Sequence, residues 1–230
     1  MDTIARRLYS YRPYLLSLIH PDGIGAKAKM TRHALPLLLA ACILSFIPAT
    51  GRAGDCTIHT LSECRNTNRL MWDPAFREAR EAFIGDRPAG WLYENGTMLG
   101  QVNTVLGGPP DEPVYFSDNL VRFSACRPHS CDEKGAVVLT TDGEIVAVGV
   151  LHFDNSRTRS GHPMLTILTR KRDDRFQEAA DHLIAWYEMV TTDYNNWQKE
   201  SYGLSDTSDE LRKTSDPEIV LLAGTPDSQP

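Results

Sequence analysis

The chain has 230 residues, with 24 Lys and Arg against 30 Asp and Glu, a formal charge of −6 and five cysteines. Even without the 53 N-terminal residues that read as a signal, the length suits one domain large enough to bury its own core. Its acidic balance argues against nucleic acid or an anionic membrane as the partner and suits either a basic protein partner or simple solubility.

Residues 34–48 form the only long apolar run, preceded by Lys27, Lys29, Arg32 and His33 and followed by Gly51-Arg52-Ala53. This is the pattern of a secretory signal peptide, and Pro36 together with the short length disfavours a membrane-spanning helix. Cleavage is expected after Ala53, so residues 1–53 read as a signal with a long N-terminal extension. Met30 is an alternative start. Leu39-Ala40-Ala41-Cys42 resembles a lipobox, but Ile43 to Ile47 carry the apolar run past the cysteine, which favours an ordinary signal core. Removing residues 1–53 takes seven of the 24 basic and two of the 30 acidic residues, leaving 17 against 28 and a charge of −11. Export to the periplasm or the medium also leaves four cysteines, Cys56, Cys64, Cys126 and Cys131, in a disulfide-permissive compartment. Three pairings are open; nearness favours Cys56 with Cys64 and Cys126 with Cys131.

The expected domain covers 54–200. Asp73 and Pro74 make a helix start, and Phe76, Ala79 and Phe83 share one face of a helix to about Ile84. Extended segments are expected at 91–93, 98–106, 114–116 and 120–125, separated by turn formers such as Gly107-Gly108-Pro109-Pro110. Further strands at 136–140 and 144–153 flank Asp142-Gly143, a strong hairpin signal, and 164–169 adds another. A second helix over 173–190 carries Phe176, Ala180, Leu183, Ile184 and Tyr187 at helical spacing and should pack across the sheet. From 201 the chain is polar and acidic, predicting a mostly flexible tail to 230 in which 219–223 is the one apolar segment. The class is therefore α+β: an antiparallel sheet of five or six strands with one short N-terminal and one longer C-terminal helix packed on it.

Between the fourth and fifth expected strands lies Cys126-Arg127-Pro128-His129-Ser130-Cys131. A disulfide closing so small a ring removes about 2 kcal/mol of chain entropy from the unfolded state. Pro128 fixes φ just before His129. The loop is thus stiff before it meets a partner, which lowers the entropic cost of binding.

The segment Phe123-Ser124-Ala125-Cys126-Arg127-Pro128-His129-Ser130-Cys131 resembles the signature of the Ivy family, inhibitors of vertebrate (c-type) lysozyme, whose motif reads Cys-Lys-Pro-His-Asp-Cys. The similarity extends through Trp91, Gly96-Thr97, Gln101, Val105-Leu106, Tyr115 and Ala136-Val137-Val138, covering roughly 73–155. What the resemblance implies is a periplasmic or secreted Gram-negative inhibitor, not an enzyme. Its loop, Arg127, Pro128, His129 and Ser130, would enter the lysozyme cleft and place His129 between the two catalytic carboxyl groups. Such a glycosidase holds these groups about 5 Å apart, one protonated and one ionised. An imidazole with two ring nitrogens can bond to both. Arg127 keeps the positive charge of the family's lysine with a different donor geometry. Ser130 departs from the family's aspartate, which implies weaker binding or another target.

Other readings are set beside this one. The cysteines could simply staple a strand end, with Arg127 solvated and Trp91 and Tyr115 in the sheet. Zinc could be held by Cys126, His129 and Cys131 with Cys56, His59 or Cys64, against which stand the unusual spacings. A redox role lacks a Cys-x-x-Cys pair, and hydrolysis by His129 with Asp132 or Glu133 lacks a nucleophile motif. The same loop could instead regulate the cell's own lytic transglycosylases. No cofactor or metal is expected, nor a membrane partner once the signal is cleaved; a homodimer is left open.

Overall fold

A computed structural model describes residues 55–153, 162–208 and 211–222. The expected signal peptide and Cys42 lie outside these residues. The fold is α+β: a six-stranded sheet carries helices on both faces, with a two-stranded ribbon beside it.

In chain order, a 3₁₀ turn at Leu61–Glu63 leads to α1 (Thr67–Met71) and α2 (Pro74–Ile84). Next come β1 (Pro88–Ala89), β2 (Gly96–Thr97), α3 (Met98–Leu106) and β3 (Val114–Tyr115). Then follow β4 (Leu120–Arg127), β5 (Ser130–Thr140), β6 (Ile145–Phe153), β7 (Pro163–Thr169), α4 (Asp174–Tyr202) and β8 (Glu218–Leu221). β1 pairs with β2, and the main sheet runs β3-β4-β5-β6-β7-β8, antiparallel except for the last pair. That pair is parallel because α4 carries the chain back to the starting end of β7, and only a crossover of this kind can join parallel neighbours.

Helix starts follow local chemistry. Asp73 caps α2 by accepting from the backbone N–H of Ala75 and Phe76, and Pro74 occupies the first helical position. Asp173 caps α4 by accepting from the Phe176 N–H at 3.0 Å. The hairpin between β5 and β6 turns at Asp142-Gly143, where Gly143 has φ +98°.

Side chains alternate through the sheet. Val121, Phe123, Val137, Leu139, Val148 and Val150 pack with α1, α2 and α3. Leu120, Ala136, Val138, Leu151, Leu165 and Ile167 pack with Phe176, Ala180, Leu183, Trp186 and Tyr187 of α4. With both faces covered, the central strands are buried along almost their full length.

Two segments expected to be extended are not. Residues 91–93 form bends, and 98–106 is the helix α3. Thr97 caps it by accepting from the Gly100 N–H at 3.1 Å, and its buried residues, Gln101, Val102, Val105 and Leu106, follow a helical period rather than alternation. The buried Gln101 then takes over the 89–92 backbone: Oε1 accepts from the Leu92 N–H at 2.6 Å, and Nε2 donates to the Ala89 carbonyl. Gly135 in β5 lets α3 dock, since a Cβ there would lie 2.5 Å from Val105 Cγ2.

α4 continues past the expected end at residue 190 to Tyr202, where Gly203 closes it at φ +69°. Of the apolar segment 219–223 in the expected tail, residues 219–221 lie in β8, whose residues Glu218 to Leu221 pair with Thr166 to Thr169, and residue 223 lies outside the described residues. Among the described residues, no helix is long and apolar enough to cross a membrane.

Candidate functional site: a disulfide-closed histidine hairpin

β4 and β5 pair regularly from Leu120 opposite Thr140 to Cys126 opposite Lys134, then shift, so that Arg127 lies opposite Ser130. Cys131, Asp132 and Glu133 are accommodated in the resulting bulge, and Pro128 and His129 form a two-residue tip. His129 has φ +66°. A proline followed by a residue at positive φ is the backbone pattern of a type II turn, in which glycine or asparagine usually holds the second position. Histidine in this region carries a strain of about 1 kcal/mol or more, retained only where the surroundings impose it.

The surroundings do so from three sides. The Cys126–Cys131 disulfide, with Cα atoms 4.7 Å apart, ties the two strands just below the tip. A second disulfide joins Cys56 and Cys64, in the segment before α1, with Cα atoms 4.6 Å apart. All four of these cysteines are thus disulfide-bonded, and none is a thiolate that could ligate a metal. Among the described residues, no group of three His, Cys, Asp or Glu is arranged to hold one.

Segment 107–111 braces the β4 side. The Cys126 N–H donates to the Pro109 carbonyl at 3.1 Å and the Asp111 N–H to the Ser124 carbonyl at 2.9 Å. Gly108 runs so close beneath the hairpin that a Cβ would stand 2.1 Å from the Cys126 carbonyl oxygen and 2.8 Å from the Pro128 nitrogen. Only glycine permits this approach. The Asp111 carboxylate accepts from Ser124 Oγ at 2.8 Å and pairs with Lys134 at 3.3 Å, fastening β4 and β5 together.

From the β5 side, Arg212 Nη2 pairs with the Asp132 carboxylate at 2.8 Å. The guanidinium lies over the rings of Tyr194 (3.2 Å to the centroid) and Phe153 (4.5 Å). Its backbone is held in turn by Asn195, whose side-chain amide accepts from the Arg212 N–H and donates to its carbonyl, both at 2.8 Å.

The four residues singled out in the loop thus differ in what they offer. Pro128 and His129 are exposed at the tip, and Ser130 is half-buried. Arg127 is half-buried: Nη1 pairs with Glu133 at 2.7 Å, and the Glu133 side chain is only 9% exposed. Its charge is therefore matched internally. Glu133, Asp111 and Arg212 position the hairpin; the sequence offers Glu133 only as a conceivable hydrolytic partner of His129 and marks neither of the others. The bulge that turns Glu133 inward and the fold-back that delivers Arg212 both depend on long-range pairing. Trp91 is half-buried against the α1–α3 side of the core, while Tyr115 is exposed on the short edge strand β3.

The arrangement presents a single exposed imidazole on a cross-linked, braced hairpin. No known protein family, curated protein or solved structure matches the chain.

Proposed function

We propose that this protein is an exported inhibitor that plugs the active-site cleft of a c-type lysozyme with the Pro128-His129 tip. The observation that supports the reading is an exposed histidine held at positive φ on a hairpin that is cross-linked, braced by Gly108 and clamped by Arg212. Rigidity of this kind suits occlusion, because a preorganised plug loses little entropy on entering a cleft. An imidazole there can accept from the protonated catalytic carboxyl group and donate to the ionised one, excluding carbohydrate without any bond being made or broken. The charge of −11 left after removal of residues 1–53 would steer the protein toward a basic enzyme at low ionic strength.

The test is a titration of the exported protein and its His129→Ala variant against a c-type lysozyme degrading cell walls. A central contact of this kind is worth about 2 kcal/mol or more, so the variant should inhibit roughly 30-fold less well. Equal inhibition by both proteins places the contact elsewhere. Inhibition by neither, with activity against a lytic transglycosylase, transfers the same hairpin to the cell's own enzymes.

A further inference from the structure

We propose that a groove between α4 and the base of the hairpin binds a small monocarboxylate with an apolar body, its carboxylate seated on Arg122. The groove has a volume of about 370 Å³; Arg122, Trp186, Met189, Val190, Tyr194 and Lys134 are among the residues lining it. It is separate from the histidine tip and does not depend on the lysozyme reading.

Arg122 is the reason to expect an anion. It projects from β4 toward α4, is 6% exposed, and has no carboxylate within ion-pair distance among the described residues. Nη1 meets His182 Nε2 at 3.0 Å, the guanidinium lies 5.7 Å from the centre of the Trp186 ring, and Nε has no hydrogen-bond partner. A guanidinium cannot shed its charge, and a buried charge left unmatched is costly. His182 serves it as a neutral acceptor, held unprotonated by burial and by Arg122 itself. The carboxylate that acts on Arg122 electrostatically, Asp111, is already engaged with Ser124 and Lys134. Arg80 is buried in a similar way, against Met71 and Phe76, but lines neither this groove nor the one beside Arg170, so no ligand is implied there.

The rest of the lining sets the ligand class. Asp111 and Asp132 are paired with Lys134 and Arg212, whereas Glu112 and Asp193 also line the groove, exposed and without such a pair among the described residues. These two would repel a multiply charged anion such as phosphate more than a single carboxylate. Trp186, Met189, Val190 and Val114 offer apolar surface to the remainder of the molecule. The planar fork of arginine suits a carboxylate.

The test is an NMR titration of the exported protein with benzoate, inorganic phosphate and benzyl alcohol, following the Trp186 indole and Arg122 Nε–H signals. Benzoate should give saturable shifts in both, with phosphate and benzyl alcohol at least about tenfold weaker, the equivalent of 1.4 kcal/mol. Arg122→Gln should abolish benzoate binding. Because that residue is buried and its replacement could disturb folding, Met189→Glu on the exposed wall provides a second variant, expected to weaken benzoate several-fold. Absence of a saturable benzoate shift, undiminished binding in a folded variant, or phosphate binding as tightly as benzoate would each overturn the proposal.

Discussion

Arg212 and Asp132, eighty residues apart in sequence, meet at 2.8 Å beneath the histidine hairpin. The arginine is the junction of three elements, since it also stacks on Tyr194 of α4 and Phe153 of β6. Segment 211–222 therefore acts on the hairpin. Replacing Arg212 with Ala removes a partly exposed ion pair and two cation–π contacts, a loss of about 1–2 kcal/mol in denaturant unfolding. Amide hydrogen exchange at Cys131 to Lys134 should quicken by more than at β7. Uniform exchange across the sheet would show that Arg212 stabilises the domain without positioning the tip.

Gly108 is the brace on the opposite side. A methyl group at this position must displace backbone, because the atoms it meets are the Cys126 carbonyl oxygen and the Pro128 nitrogen. Gly108→Ala should cost about 1–3 kcal/mol and shift the NMR signals of residues 126–131 most strongly. A variant as stable as the parent would mean that segment 107–111 moves aside freely.

His182 gives the domain a pH dependence. Burial and the neighbouring Arg122 lower its pKa from 6.5 to about 4, while its ring stacks on Phe116 at 3.7 Å. The unfolded chain takes up a proton near pH 6.5 and the folded chain only near pH 4. Stability from this group is thus complete above pH 6.5 and is lost as pH falls toward 4. His182→Gln, which keeps an acceptor for Arg122 but does not titrate, should flatten that part of the stability profile. An unchanged slope between pH 6.5 and 4 would assign it to other groups.

Ser130 sits beside the tip where the resembling family has aspartate. If the hairpin plugs a lysozyme, Ser130→Asp adds a carboxylate able to meet a basic residue on the rim of the target. The inhibition constant should improve several-fold, about 1 kcal/mol. An equal or poorer constant would show that this position does not limit affinity.

Much of this fold was legible because it is written locally. Asp73-Pro74 marks a helix start, Asp142-Gly143 marks a turn, and the apolar spacing of 173–190 marks a helix face; each signal acts within a few residues of itself. Segment 98–106 misled because Leu99, Val102, Val105 and Leu106 are apolar residues between turn formers, a pattern that suits either conformation. Thr97 as a cap, and a sheet face needing cover, decided for the helix.

The sequence by itself determined the six-residue span from Cys126 to Cys131, whose closeness favours pairing, and the proline before the histidine, because spacing and a fixed φ are properties of neighbouring residues. The tertiary structure alone decided that Arg127 pairs with Glu133, that Arg212 returns to clamp the hairpin, that Gly108 passes beneath it, and that Arg122 is buried beside an open groove. Charges find their partners through strand register and helix crossing. No spacing along the chain encodes those relationships.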